Sequence, residues 1–177
     1  TSQQSGGTEE RHGSIAVDGT DLVLREGDSF EVRAEQRFAV PLGVKDLQFE
    51  YWATFGAADG EFINDAFEVA LVDEAGLSLV PTIRYGRDSF FNLTEEQQLA
   101  ELGELTSHVA ATPPRDITAA GTVTLDVTHL ADGVTPRTLI VRLVNNDSDI
   151  GTVVRILDNH APLAVDDGPG GAYELEE

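Results

Sequence analysis

Two short segments of the chain hold oxygen-bearing side chains of the kind that Ca²⁺ prefers. The first, GAADGEFINDAF, contains Asp59, Asn64 and Asp65, and the second, VNNDSDIG, contains Asn145, Asp147 and Asp149. Ca²⁺ takes about six to eight oxygens from carboxylates, amides and backbone carbonyls. Neither segment has the spacing of an EF-hand loop, so we predict a site that gathers ligands from several loops at one end of the fold. The alternative is that these residues serve only turns and caps.

The single tryptophan of the chain suggests a different chemistry, the binding of a sugar. The segment LQFEYWATF alternates between two faces, and Trp52 falls on the polar face together with Glu50. A pyranose ring can stack on an indole while charged side chains bind its hydroxyl groups. If later strands lie beside this one, Glu68 and Arg142 share the face of Trp52, with Tyr85 at its border. The candidate ligand-binding residues are therefore Trp52, Glu50, Tyr85 and Arg142.

A second interpretation of Trp52 is that another part of the chain covers it. Residues 92–121 are typical of an excursion between two core strands, and the pattern over 94–105 predicts a helix. Its apolar stripe consists of Leu99, Leu102 and Leu105. Because a helix with such a stripe needs an apolar surface to dock on, we expect it to lie over Trp52 as a lid.

Residues suited to catalysis form no recognisable pattern. The sequence has no G-x-S-x-G nucleophile elbow and no H-E-x-x-H zinc motif. The histidines, His12, His108, His129 and His160, are far apart along the chain. Cysteine is absent, which excludes disulfides, thiolate zinc sites and cysteine nucleophiles. We therefore predict that the chain is not an enzyme.

The charge of the chain restricts its partners. The sequence has 32 acidic and 11 basic residues and a formal net charge of −21. This balance argues against nucleic acid, because binding phosphates needs clustered Lys and Arg. It disfavours anionic membrane surfaces and is compatible with divalent cations. Since no run of about 18 apolar residues occurs, we expect no insertion into a membrane.

β-Strands must position these candidate residues. Hydrophobic residues make up 41% of the 177-residue chain, enough for a core. About nine short alternating runs, separated by turn residues, predict strands, and these are antiparallel because only one helix is plausible. The predicted fold is all-β: an antiparallel two-sheet β-sandwich of jelly-roll type over 14–158, with one short helical or irregular excursion at 92–121. Residues 1–13 are expected to form a flexible leader and 159–177 a linker into another repeat.

The final segment, DNHAPLAVDDGPGGAYELEE, resembles the junction that opens cadherin-like, tandem-95-type repeats in giant bacterial surface and secreted proteins. The matching parts are Asn159-His160-Ala161-Pro162, Ala164-Val165-Asp166-Asp167 and the acidic run that begins at Glu174. The resemblance implies that the chain belongs to a longer multidomain protein. It also implies that Asp166 and Asp167 can bind calcium between adjacent domains.

Residues 45–158 resemble a β-sandwich module of such proteins. The matching phrases are DLQFEYWATF, INDAFEVALVDEAGLSLVP, GTVTLDVTHLADG and LIVRLVNNDSDIGTVVRILD. Modules of this kind are jelly rolls akin to carbohydrate-binding modules, and the likeness implies binding or adhesion rather than catalysis. It also implies a structural calcium where the first and last strands meet, with Glu26, Asp28 and Asp158 as ligands.

Together these features predict a non-catalytic calcium-binding module of a large extracellular bacterial protein. Its expected role is adhesion or cell-surface and matrix assembly, and its expected location is the cell surface or the medium. The expected partners are calcium and either glycans or neighbouring protein subunits and repeats. The alternative is a carbohydrate-binding module that uses an aromatic face around Trp52.

Overall fold

The computed structural model describes residues 12–56, 64–95, 100–114, 117–146 and 151–157, together with two strands at 2–5 and 163–165. These residues form strands β1 (Ser2–Ser5), β2 (Ser14–Asp18), β3 (Asp21–Arg25), β4 (Glu31–Ala39), β5 (Asp46–Thr54), β6 (Ala66–Val72), β7 (Ser89–Thr94), β8 (Glu101–Leu102), β9 (Thr106–Ala110), β10 (Ala119–Asp126), β11 (Pro136–Val144), β12 (Val153–Leu157) and β13 (Leu163–Val165). A 3₁₀ turn covers Thr128–Leu130 and is the only helical element in the described part of the chain.

The strands form two antiparallel sheets that face each other across one core. Sheet A has the order β1-β4-β11-β6-β7-β8, and sheet B has the order β2-β3-β12-β5-β10-β9, with β13 also paired to β5. From β3 to β6 and again from β10 to β12, successive strands alternate between the two sheets. The prediction of an all-β two-sheet sandwich of jelly-roll type is confirmed.

The core is made by the inward positions of each alternating strand. On β5, Leu47, Tyr51 and Ala53 are buried, whereas Glu50 and Trp52 on the opposite face are exposed. The ring of Tyr51 lies 5.3 Å from that of Phe67 and 5.5 Å from that of Phe91, both in sheet A. The predicted register of β5 is therefore correct, and aromatic contacts join the two sheets at its centre.

The predicted helix within 94–105 does not form in the described residues, and 96–99, which include Leu99, lie outside them. Residues 93 and 94 continue β7 and pair with Phe67 and Ala66 of β6, so the segment begins as a strand. Further along, the backbone N–H of Gly103 donates to the carbonyl of Phe90 at 2.8 Å. Within the predicted excursion at 92–121, the chain instead contributes β8, β9 and the first part of β10.

The expected lid over Trp52 is also wrong. Leu102 lies on β8 at the edge of sheet A, and Leu105 packs against the core between the sheets. Trp52 is on the outer face of sheet B, where its side chain is 38% exposed and its cross-strand neighbours are Ala120 and Arg155. Leu102 and Leu105 therefore belong to the two-sheet body rather than to a helix docked outside it.

Three other boundaries differ from expectation. The segment LSLVPTIRY (77–85), one of the nine runs predicted as strands, is irregular apart from a bridge between Ser78 and Val72. The expected leader contains β1, which pairs with β4, and the expected linker contains β13, which pairs with β5. No helix in the described residues is long and apolar enough to cross a membrane.

Candidate functional site

A pair of buried carboxylates lies at one end of the sandwich. Glu26 follows β3, Asp65 precedes β6, and Thr152 precedes β12. All three are fully buried, with 0% of their surface exposed. They are far apart in the chain, and the jelly-roll connections bring them together at the end where β11 also finishes, at Val144.

The two carboxylates are linked through Thr152, and each accepts one further hydrogen bond from the adjacent residues Asn145 and Asn146. Glu26 accepts from Asn145 Nδ2 at 2.8 Å and from the backbone N–H of Thr152 at 2.7 Å. Asp65 accepts from the Thr152 hydroxyl at 2.6 Å and from the backbone N–H of Asn146 at 3.1 Å. Thr152 therefore joins the two acids, and no arginine or lysine is among these donors.

This arrangement disfavours the ionised form of Glu26. Burial and, after it, the negative charge of Asp65 together raise the pKa of Glu26 to about 8. Without a cation, protonation of one of the two acids lowers the free energy of such a buried pair near neutral pH. We refer to Glu26, Asp65, Asn145, Asn146 and Thr152 as the end cluster.

The donor set of the end cluster fits calcium in its chemistry. Carboxylate, amide and hydroxyl oxygens are hard ligands, and two of the groups are acidic. Among the described residues, however, no group of three or more His, Cys, Asp and Glu is placed to hold a metal ion. A calcium ion here would therefore take Glu26 and Asp65 as its charged ligands and amide or backbone oxygens for the rest.

The structure brings together residues from three of the predicted acidic segments. Asn64 joins the end cluster, since its backbone carbonyl accepts from Asn146 Nδ2 at 3.0 Å. Asp28 lies in the same loop as Glu26, between β3 and β4. The remaining predicted metal ligands, Asp59, Asp147, Asp149 and Asp158, lie outside the described residues. Sequence analysis missed Thr152, because a threonine before a strand carries no signal of its own.

A second concentration of charge crosses the outer face of sheet A. Five residues on five neighbouring strands are in direct cross-strand register: Arg33 on β4, Arg142 on β11, Glu68 on β6, Asn92 on β7 and Glu101 on β8. Outward positions of a strand normally meet water, yet Glu68 is only 2% exposed and Asn92 4%. We call this set the polar row.

The centre of the polar row is an ion-pair network. Arg142 Nε donates to Glu68 at 2.7 Å, and its Nη1 and Nη2 donate to the two oxygens of Asp88 at 2.9 and 2.5 Å. Arg87 forms a second ion pair with Glu68. The hydrogen bonds from Arg142 lower the pKa of Asp88. Burial would lower the pKa of Arg142, but its bonds to Asp88 and the charge of Glu68 raise it above its ordinary value.

Asp88 and Arg87 belong to an irregular segment, residues 73–88, which we call the strap. The strap connects β6 to β7, and its first part runs back beside β6, where Leu79 N–H donates to the carbonyl of Leu71 at 2.9 Å. Its last residues, Arg87 and Asp88, lie on the outer face through their ion pairs with Glu68 and Arg142. Three apolar residues of the outer face, Ala70, Val72 and Ile140, are buried as a small separate cluster. The strap therefore covers one part of sheet A and leaves the rest open.

The open part is a groove of about 560 Å³. Its floor includes Glu68 and Arg142, and Asp88 lies at its side. Two exposed apolar side chains also line it, Phe30 at 62% and Leu77 at 66% exposure. A groove with a charged floor and apolar walls can hold a ligand that has both hydroxyl groups and apolar faces.

The predicted ligand-binding residues divide between the two sheets. Arg142 is in the groove, and Tyr85 lies fully exposed in the strap, on the same side of the molecule. Trp52 and Glu50 are on the outer face of sheet B, so they do not share a surface with Arg142 or Glu68. The period-two pattern placed Trp52, Glu50 and Arg142 on outer faces correctly, but it does not say which sheet a strand joins. Asp88 and Arg87 were missed because they lie in an irregular segment.

Comparison with known proteins adds little to this geometry. No family model matches the chain, and no curated protein matches it. One solved structure with a similar fold is that of a carbohydrate-binding module studied for its specific mannan recognition. It is 13% identical, the match covers 88% of this chain and 86% of that chain, and the TM-score is 0.37. Similarity at this level assigns neither a family nor a ligand, so the proposals below rest on the site itself.

Proposed function

We propose that the chain is a non-catalytic carbohydrate-binding module and that the groove on sheet A is its binding site. The single observation that carries the proposal is the pairing of Glu68 and Arg142, the two members of the polar row that lie on the floor of a groove with apolar walls. Outer sheet positions need no buried charge for folding. The burial of Glu68 beside Arg142 on the floor of this groove therefore supports a role in binding.

The chemistry of the groove suits a saccharide. Carboxylates accept hydrogen bonds from sugar hydroxyls, and guanidinium groups donate to them. The apolar side chains of Phe30 and Leu77 can pack against the C–H face of a sugar ring. Because these groups stand on paired strands and a hydrogen-bonded strap, the site is largely formed before the ligand arrives.

A glycan array followed by titration calorimetry tests this proposal. Phe30→Ala should weaken the binding of any captured neutral oligosaccharide by about tenfold, because it removes an exposed aromatic wall. Trp52→Ala is the matched control, an aromatic truncation on the opposite sheet, and should change affinity less than about twofold. A large loss of affinity in Trp52→Ala with little change in Phe30→Ala would assign the binding site to the outer face of sheet B. Absence of binding to every glycan on the array would overturn the proposal.

A structural role for calcium at the end cluster is a second candidate function. It is favoured by the full burial of Glu26 and Asp65 beside each other, since a divalent cation would neutralise both. A ligand that binds only the folded state raises the melting temperature by mass action. We therefore expect millimolar calcium to raise the melting temperature by several degrees over chelator, and Glu26→Gln to abolish the rise. A shift below about 2 °C in the wild type would remove this role.

The biological setting that we propose is a large extracellular bacterial protein, in which the module serves adhesion or surface assembly. This part rests on the sequence resemblance at 159–177, of which only Leu163–Val165 lies in the described residues. Purifying a longer protein that carries this sequence from the cell surface or the medium would support it. Recovery from the cytoplasm alone would contradict it.

A further inference from the structure

The positive charges under the groove are already paired within the protein. Both terminal nitrogens of Arg142 donate to Asp88, and its Nε donates to Glu68. Arg87, which also lines the groove, pairs with Glu68. Arg33, next to Arg142 in the polar row but outside the groove lining, pairs with Glu35 at 2.6 Å. Arg142 has five N–H donors, and those on the edge toward Asp88 are the ones that a bound carboxylate would use in a bidentate pair.

Asp88 occupies the place that an acidic ligand would need. Its carboxylate lies edge to edge with the guanidinium of Arg142, with N–O distances of 2.9 and 2.5 Å. An anionic sugar could reach Arg142 only by displacing Asp88, and it would then lie beside two carboxylates, Asp88 and Glu68. The overall charge of −21 adds a long-range repulsion.

A neutral sugar meets a different surface. Each oxygen of Asp88 has one lone pair in use toward Arg142 and a second lone pair available. Asp88 is 39% exposed and lines the groove together with Glu31, so hydroxyl groups can donate to these acids without disturbing the ion pair. The same network that rejects a carboxylate is therefore an acceptor surface for a polyol.

We propose that the groove selects neutral saccharides over acidic ones and that Asp88 enforces this selection by occupying the guanidinium edge of Arg142. The inference rests on the proposed carbohydrate-binding function and names its ligand class. Asp88 is thus a specificity-determining residue: it accepts from the neutral ligand and occupies the Arg142 edge, while the second arginine of the groove, Arg87, is paired with Glu68.

The experiment compares matched tetrasaccharides of one stereochemistry, mannotetraose with its mannuronate counterpart and galactotetraose with its galacturonate counterpart. Dissociation constants are measured for the wild type, Asp88→Ala and Asp18→Ala. Asp18 is the matched control, because it also pairs with an arginine, Arg155 at 3.1 Å, but on sheet B. Both variants therefore remove one acid from an arginine pair and change the net charge equally.

We expect the wild type to bind a neutral tetrasaccharide at least about tenfold more tightly than its acidic counterpart. Asp88→Ala should reduce that preference by about tenfold or more, because the ligand carboxylate can take the vacated edge of Arg142. Asp18→Ala should leave the preference within about twofold. If Asp88→Ala is not folded at the assay temperature, Asp88→Asn replaces it, because it makes the same change in charge with a side chain of similar shape.

Equal binding of both charge classes by the wild type would overturn the inference and leave the carbohydrate-binding function standing. An unchanged preference in both Asp88 variants would also overturn it, because the selection would then come from elsewhere. Absence of binding to every tetrasaccharide, neutral or acidic, by wild type and variants alike would overturn the function and the inference together.

Discussion

The end cluster and the groove both bury a carboxylate, and they compensate for it in opposite ways. Glu68 is 2% exposed and has Arg142 and Arg87 as partners, whereas Glu26 is fully buried with a second acid, Asp65, beside it. In the groove the chain supplies the countercharge itself. At the end cluster it supplies more negative charge, so neutrality there must come from a proton or a cation. Burial alone therefore does not identify a cation site; the sign of the nearest charges does.

Removing the countercharge in the groove should produce the largest effect on stability. Arg142→Met leaves Glu68 and Asp88 without their main partner, and we expect a loss of about 3–5 kcal/mol in the free energy of unfolding. Urea denaturation measures it. The matched control is Arg155→Met, whose partner Asp18 is 67% exposed, and it should cost about 1 kcal/mol or less. Equal losses would show that the groove network is no more than a surface ion pair.

The contribution of Glu26 to the free energy of unfolding should decrease as pH rises. A carboxylate whose pKa is lowered on folding shows the opposite, a contribution that decreases as pH falls. The pKa of Glu26 is raised from 4.5 to about 8, so the folded state binds the extra proton between these values. Its contribution to stability is therefore fully present below pH 4.5 and is lost as pH rises through about 8. In chelator, this group should contribute a decline of at most about 1.4 kcal/mol per pH unit in that window.

Glu26→Gln should flatten this dependence, because the amide does not titrate. Urea unfolding of the wild type and Glu26→Gln in chelator, from pH 5 to pH 9, measures the difference in slope. Two curves of the same shape would mean that Glu26 is ionised in the folded protein and that the end cluster resembles the groove after all.

Asp88 in the groove should show a smaller pH effect on stability, and this effect should occur in the acidic range. Hydrogen bonds from Arg142 lower the pKa of Asp88 below 3.8. Its stabilising contribution is present above pH 3.8 and is lost as pH falls through the lower, folded-state pKa. Asp88→Asn should therefore reduce the melting temperature at pH 6 slightly and converge with the wild type in strong acid. A constant difference down to pH 2 would contradict this assignment.

The fold and part of the end cluster could be predicted from the sequence, because both depend on local patterns. Alternation over 47–55 predicted which side chains of β5 are buried, and the acidic loop segments predicted that Asn64, Asp65 and Asn145 come together at one end of the fold. Glu26 was expected in a separate site with Asp28 and Asp158, but it lies in the end cluster. The helix within 94–105 was predicted from its capping residue and leucines, but pairing of β7 with β6 overrides that local preference.

The groove was harder to predict because it depends on which strands become neighbours. Glu68 and Arg142 were expected beside Trp52, and they are indeed beside each other, but in the other sheet. Nothing in the local sequence of the strap indicates that Asp88 reaches Arg142, 54 positions away in the chain. Such contacts are decided by sheet order and loop path, which a single sequence with period-two patterns leaves open.

The polar row takes one side chain from each of five adjacent strands, and the spacing between strands is set by backbone pairing. Of this row Glu68 and Arg142 line the groove, so a change of ligand preference there would begin with the side chains of two paired strands, β6 and β11. The site also exists only after non-neighbouring parts of the chain have paired. Binding of a saccharide at this site would therefore require that sheet A is already formed.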